Sequence, residues 1–305
     1  MTRRLTHPTD SQSIKQLIAQ AEGRHLQRLA EIADTIAEAN EKRGLRMVLI
    51  SGPTSSGKTT FAGLLSGALA ERGLRPVPIS MDDYFVDRDK TPLGEDGKPD
   101  FEAVEAVDLP LLNEQLHTLH NGGEAVLPIY NFLTGKREWR DKPLHLEGNS
   151  VMILEGLHAL NPRLTELIPD DCKFRIFISC FTAAESGDGE RITPFDVRLL
   201  RHITRDYGQR GRTAASTLEQ WPSVRRGEDK YVFPFLGEAD AMFDTSLAYE
   251  LSALRPQAEP LLKEVDESLP ESAEARRLLQ LLSHFEPISP DDIPSDSLLR
   301  EFIGI

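Results

Sequence analysis

Gly52-Pro53-Thr54-Ser55-Ser56-Gly57-Lys58-Thr59 fits G-x-x-x-x-G-K-[ST] at every fixed position. The flanks supply the context such a loop needs. Met47–Ser51, before it, is nearly all apolar, as expected of a central strand covered on both faces. After it, Phe61, Leu64, Leu65, Ala68 and Leu69 fall at helical spacing. Small residues between a strand and a helix let backbone N–H groups wrap a phosphate, and the helix N-terminus adds a favourable dipole. Gly52, Pro53, Thr54, Ser55, Ser56, Gly57 and Thr60 would line the phosphates, Lys58 would reach the β- and γ-phosphates, and the Thr59 hydroxyl would ligate Mg²⁺. The expectation is a nucleoside triphosphate site.

Outward from this loop, short β-rich runs alternate with helical patterns from about Leu45 to Arg255. Val77–Ser80, Val151–Glu155 and Lys173–Ser179 are the other strand candidates. That alternation predicts an α/β fold of the P-loop NTPase kind, a parallel sheet flanked by helices. Upstream, Ile14, Leu17, Ile18, Ala21, Leu29, Ile32, Ala33 and Ile36 predict an amphipathic helix, long or broken, running to about Asn40. Beyond Pro256 the chain turns Glu- and Leu-rich, then Pro-rich around Pro287–Pro294, and closes on Leu298–Ile305, which reads as a docked tail. The expected organisation is a helical segment over 1–44, a P-loop domain over 45–255 and a helical extension with tail over 256–305.

Composition narrows the function classes. The 305 residues hold 35 Lys plus Arg against 49 Asp plus Glu, a net charge of −14, which argues against coating nucleic acid or an anionic membrane. Two cysteines, Cys172 and Cys180, are too few for a disulfide scaffold and lack metal-ligand spacing. There is no apolar run of the roughly 18 residues that a membrane span needs. Thr2-Arg3-Arg4-Leu5 leads into His7-Pro8-Thr9-Asp10 without the apolar stretch of a signal peptide. A soluble, cytoplasmic protein is expected.

Four features choose among triphosphate-using functions. No Asn-Lys-x-Asp occurs, which disfavours a guanine-reading GTPase. Asp82 and Asp83 follow the second strand, where open α/β sheets face their ligands. A carboxylate there can take the proton of an attacking hydroxyl, although a turn or helix N-cap uses the same residues. Val151-Met152-Ile153-Leu154-Glu155 reads as a strand carrying an acid to the Mg²⁺ site, or as a buried strand with an edge Glu. Arg198, Arg201 and Arg205 share one helical face, with Arg210 and Arg212 following. In so acidic a chain these cations suggest an arginine-bearing lid over the polyphosphate, or else a solvated face with acidic partners.

These segments come in the order found in the uridine kinase/phosphoribulokinase family. The resemblance rests on the phosphate loop, Asp82-Asp83-Tyr84-Phe85, Pro128-Ile129-Tyr130-Asn131-Phe132, Leu154-Glu155-Gly156 and Arg205-Asp206-Tyr207-Gly208-Gln209-Arg210-Gly211-Arg212. It spans about Leu45 to Leu254. It is nearest a bacterial uridine kinase-like branch in which Trp221-Pro222-Ser223-Val224-Arg225-Arg226-Gly227-Glu228 and Leu299-Arg300-Glu301-Phe302-Ile303-Gly304 recur. Members of that branch often carry an N-terminal TGS domain, where this chain has the helical segment.

The resemblance implies an ATP- and Mg²⁺-dependent kinase acting on a hydroxyl of a small sugar-containing acceptor, foremost the 5′-hydroxyl of uridine or cytidine. It implies Asp82 as catalytic base and metal contact, working with Lys58, and Glu155 and Thr59 at the metal. Arg205, Arg210 and Arg212 would hold phosphates. Asp83, Phe85, Glu102, Tyr130, Phe132 and Arg137 would line the acceptor site, with Glu102 at the ribose hydroxyls and the aromatics at the base. Three positions depart from the family pattern: Glu102 replaces an Asp, Gly135 a base-reading His and His202 an Arg. Thr182–Pro194 reads as an insertion. The departures keep two alternatives open. One is a sugar-phosphate acceptor held by Arg137, Arg140 or Arg225-Arg226, as in phosphoribulokinase. The other is a nucleotide-gated regulatory protein on a kinase scaffold. The Ile14–Ile36 stripe would pack on its own domain or on another subunit of a homo-oligomer.

Overall fold

The computed structural model describes residues 3–4, 11–94, 97–182, 184–185 and 191–304. Its strands of four residues or more are β1 (Met47–Ser51), β2 (Arg75–Ser80), β3 (Pro128–Asn131), β4 (Lys136–Trp139), β5 (Ser150–Glu155), β6 (Lys173–Ser179) and β7 (Ala241–Asp244). β7, β6, β1, β5 and β2 lie side by side in that order, every neighbour parallel, while β3 and β4 form a separate antiparallel hairpin. β1 is therefore central, and all five of its residues are buried. β2 is an edge strand, which explains how it tolerates Pro76 and Pro78, neither of which can donate to a ladder.

The helices are α1 (Ser11–Arg43), α2 (Lys58–Glu71), α3 (Leu109–His120), α4 (Pro194–Arg210), α5 (Ala214–Tyr231), α6 (Glu250–Lys263), α7 (Ser272–Ser283) and the short α8 (Arg300–Ile303). They cover both faces of the sheet. On one face Val48 and Ile50 of β1 join α1, α2, α4, α6 and α7, and on the other Met47 and Leu49 join Leu112, Leu116 and Leu119 of α3. α4 is sharply delimited, by a Thr193–Asp196 capping box with Pro194 in the first turn and by left-handed Gly211 at the end.

The α/β sheet flanked by helices is as the sequence predicts. α1 is one unbroken helix rather than two, and its Ile18, Ile32, Ala33 and Ile36 are buried against the chain's own core. The expected boundary at 255/256 falls inside α6, and α6, α7, Phe302 and Ile303 share a core with α1, α2 and α4. Leu298–Ile303 is a docked tail, as its apolar pattern suggests, whereas Ile305 and, within the Thr182–Pro194 stretch, residues 183 and 186–190 lie outside the described residues. Among the described residues, no helix is long and apolar enough to cross a membrane.

Candidate active site

β1 delivers the chain into the phosphate loop at the carboxyl edge of the sheet, where open α/β folds hold ligands. The loop turns through two left-handed residues, Ser55 (φ 60°) and Gly57 (φ 90°). A Cβ on Gly57 would also lie 2.5 Å from Leu298 Cδ2, so the tail itself demands glycine there. Lys58 Nζ donates to the carbonyls of Gly52 (3.0 Å) and Pro53 (3.1 Å), which holds the ammonium over the loop. Burial pushes its pKa down, against the pull of Glu155 and Asp82.

A buried ion pair braces this loop. Arg198 donates to both Glu228 oxygens, at 2.5 and 2.8 Å, and to the Thr54 carbonyl at 2.9 Å; Glu228 accepts the Thr54 N–H at 3.0 Å. The two side chains are 1% and 0% exposed. Arg201 is equally buried, pairing with Glu250, donating to the Thr245 carbonyl and lying under the Phe302 ring. The cationic face expected to meet phosphate is thus divided, because Arg198 and Arg201 point into a core that supplies carboxylates. His202 bridges Ser55 Oγ (3.2 Å) and Arg205 (3.0 Å) through Nδ1. Burial, with Arg205, Arg210 and Arg212 nearby, holds its pKa well below the usual histidine range, so the imidazole is neutral. Arg205 is left near the loop, while Arg210 and Arg212 are half-exposed around the buried Asp206 carboxylate.

Acidic groups collect opposite the loop. Asp82 lies in the tight turn Met81–Tyr84 that ends β2, and Glu155 ends the adjacent β5, with Ser80 and Glu155 in register. Glu155 Oε1 accepts from Ser80 Oγ at 3.1 Å and from Thr59 Oγ1 at 3.4 Å. Burial, then the neighbouring Asp82, pushes Glu155 up to about 7. Asp82 is raised too, mainly by burial, with Lys58, Arg210 and Arg205 opposing. Among the described residues no three His, Cys, Asp or Glu side chains cluster as a closed metal site. What exists is a hydroxyl and two crowded carboxylates, hard oxygen donors whose mutual repulsion a dication would relieve. That set fits Mg²⁺, which takes a few protein oxygens and fills the rest with phosphate and water.

Glu102 completes the acidic wall. Its Cβ passes so close to Gly227 that a Cβ there would sit 2.5 Å away, and its buried Oε2 lacks a hydrogen-bond partner. Burial and Glu228 push it up to about 7. Phe85, Tyr130 and Phe132 form an edge-to-face trio with centroids 5.0–6.3 Å apart. Asp83 holds this trio in place, accepting the Tyr130 N–H at 3.2 Å. Arg137 is similarly structural: Asp108 takes its guanidinium at 2.9 Å, and the carbonyls of Tyr84 and Phe85 take the rest. Gly135, where a base-reading His was the family expectation, has φ 66° and Arg88 packed against it, 2.8 Å from where a Cβ would be. The structure therefore brings Glu102 near Asp82 and the three aromatics against one another, while Asp83 holds the Tyr130 backbone and Arg137 is tied to Asp108.

Sequence reasoning missed Ser80, Glu228 as a brace, and Glu301, whose Oε2 accepts from Thr60 Oγ1 at 2.8 Å and whose other oxygen lies 3.7 Å from Arg205. Glu228 and Glu301 both lie in runs quoted above, but no local pattern marks a carboxylate that meets its partner across the fold.

Comparison with known proteins agrees with this geometry. The model of the phosphoribulokinase / uridine kinase family matches residues 47–251. Uridine kinase from Halalkalibacterium halodurans is 32% identical over 186 residues, 60% of this chain and 78% of that one. Uridine kinase from Alkaliphilus metalliredigens is 32% identical over 188 residues, 61% of this chain and 80% of that one. Among solved structures, a candidate fructose transport system kinase from Silicibacter sp. TM1040 superposes with a TM-score of 0.51 at 21% identity, over 70% of this chain and 98% of that one, a likeness of fold. The chain belongs to the phosphoribulokinase/uridine kinase family of ATP-dependent kinases.

Proposed function

We propose that this chain is a cytoplasmic enzyme that transfers the γ-phosphoryl group of Mg·ATP to a hydroxyl of a small sugar-containing acceptor, foremost the 5′-hydroxyl of uridine or cytidine. The observation that carries the reading is the convergence of Lys58, Asp82 and Glu155 at the carboxyl edge of β1, β2 and β5. Lys58 and the loop amides hold the β- and γ-phosphates. Thr59, Glu155 and Asp82 would hold Mg²⁺, which when bound draws charge from the phosphate oxygens. Asp82 accepts the proton as the acceptor oxygen bonds to phosphorus and the bond to the β-phosphate oxygen breaks, releasing ADP. Arg205, with Arg210 and Arg212 at the rim, offsets the moving charge.

A neutral acceptor suits the surroundings better than a sugar phosphate. Asp82 and Glu102 make the acceptor side acidic, and the Arg137 cation is already neutralised by Asp108. The unpartnered Glu102 Oε2 matches a sugar hydroxyl donor, and the aromatic trio matches the face of a base. The named uridine kinase relatives point the same way. The test is ADP release from Mg·ATP over a panel of nucleosides and sugar phosphates. Stimulation by uridine or cytidine is expected. Stimulation by a sugar phosphate alone would reassign the acceptor, and nucleotide binding with no stimulated turnover would leave a nucleotide-gated regulatory protein.

A further inference from the structure

The Arg205 side chain is only 13% exposed, yet the fold pairs its charge loosely. Its Nε has no hydrogen-bond partner, and the Asp206 and Glu301 carboxylates stop 3.6 and 3.7 Å away, beyond hydrogen-bond length. What fixes the guanidinium is a 3.0 Å hydrogen bond to Nδ1 of His202, one turn earlier on α4. Arginine only donates, so Nδ1 carries the lone pair and the ring proton sits on Nε2. The Ser55 hydroxyl, 3.2 Å from the same nitrogen, therefore donates to it as well. Trp221 packs on the imidazole, ring centroids 5.6 Å apart, and keeps its plane. One uncharged ring thus joins the phosphate loop to Arg205.

We infer that His202 is a positioning residue of the triphosphate site: its Nδ1 lone pair holds the Arg205 guanidinium beside the phosphate loop without cancelling its charge. The inference rests on the triphosphate reading above. Arg198 and Arg201, on the same helix, show what a carboxylate does instead. Each meets a buried Glu, and its charge is neutralised in the core. An uncharged acceptor fixes direction and leaves the cation for a phosphate oxygen, and charge-assisted bonds of that kind are the strong ones. A loosely paired cation in a buried site also gains most when an anion arrives. Without the imidazole, Asp206 and Glu301 are close enough to draw the guanidinium onto themselves and away from the loop. Where the family pattern has an arginine, able only to donate, position 202 of this chain supplies an acceptor.

Titration calorimetry with a nonhydrolysable Mg·ATP analogue tests it on the full chain, through a cycle of His202→Leu, Arg205→Ala and the double variant. Melting temperatures check that each variant folds. His202→Leu should weaken binding by about tenfold, the scale of a hydrogen bond to a charged group. The same change in the Arg205→Ala background should alter affinity by less than about twofold, because the residue through which it acts is gone. His202→Asn, which puts an uncharged oxygen near the place of Nδ1, should recover most of the affinity. If the leucine variant does not fold, His202→Phe repeats the cycle, since its ring keeps the Trp221 contact and lacks the acceptor. Equal losses from the His202 change with and without Arg205 would make the imidazole a prop for Ser55 and overturn the inference. An Arg205→Ala variant that binds the analogue as tightly as the wild type would overturn it too. A wild type that binds no nucleotide would overturn the triphosphate reading itself, and this inference with it.

Discussion

Arg198 and Glu228 distinguish two accounts of the cationic helix. If Arg198 braces the loop from behind, removing either partner leaves the other as an unpaired charge at 1% or 0% exposure. Breaking such a pair costs about 3–5 kcal/mol. Unfolding entropy near 2.1 cal/mol/K per residue over 305 residues gives about 0.6 kcal/mol/K, so each single variant should melt about 5–8 °C lower. Arg198→Met and Glu228→Leu should each show this drop. The double variant, with two apolar groups in contact, should recover most of it. Both singles should also loosen nucleotide binding, because Thr54 loses the acceptor of its N–H or the donor to its carbonyl. Differential scanning calorimetry of the four-protein cycle, beside nucleotide titrations, reads both effects. A phosphate-facing Arg198 would behave differently: Arg198→Met would lose nucleotide affinity at an unchanged melting temperature, and Glu228→Leu would bind anionic phosphate as well or better. That pair of results would refute the brace.

Three further outcomes follow from the charges and the loop turns. Glu155 sits at about 7 in the ligand-free protein, and a dication beside it favours the charged form, so Mg·nucleotide binding at pH 7 should release about half a proton from it; calorimetry in buffers of different ionisation heat should show this, and Glu155→Gln should abolish it. Glu102 and Glu155 both titrate higher folded than the ordinary 4.5, so the stability they contribute is whole below pH 4.5 and is lost as pH rises through about 7. The ligand-free melting temperature should therefore fall between pH 5 and 8, less steeply in Glu102→Gln; a flat profile would contradict the burial of these acids. Gly135→Ala forces a side chain into a left-handed turn against Arg88 and should cost about 1–2 kcal/mol by denaturant titration, with Arg88→Ala in the same chain relieving only the clash with the guanidinium, because the Cβ at position 88 stays.

How far the residues announce the fold depends on the range of the interactions. β1, the loop and α2 are legible because strand, turn and helix follow one another and each leaves a local period. Asp82 and Glu155 are legible because one follows a strand by two residues and the other ends one, which is where the sheet opens. β7 escapes: four residues with one buried side chain offer no alternation to read. Arg198, Arg201 and Arg205 show why periodicity informs only in part. Spacing says that they share a face, but Glu228 and Glu250, which neutralise the first two, lie 30 and 49 residues further on. The Thr60–Glu301 contact spans 241 residues, so the tail's place beside the phosphate loop has no signature in either segment. Arg137 misleads for the same reason, since its partner Asp108 already caps α3.

The central claim is that Asp82 takes the proton of an acceptor hydroxyl held beside the phosphate loop. Transfer of labelled γ-phosphate from Mg·ATP to uridine, measured for the wild type and Asp82→Asn side by side, tests it most directly. A fall in kcat of about 10²–10⁴-fold, with nucleotide affinity nearly unchanged, is the predicted result. Near-wild-type turnover in Asp82→Asn would contradict it.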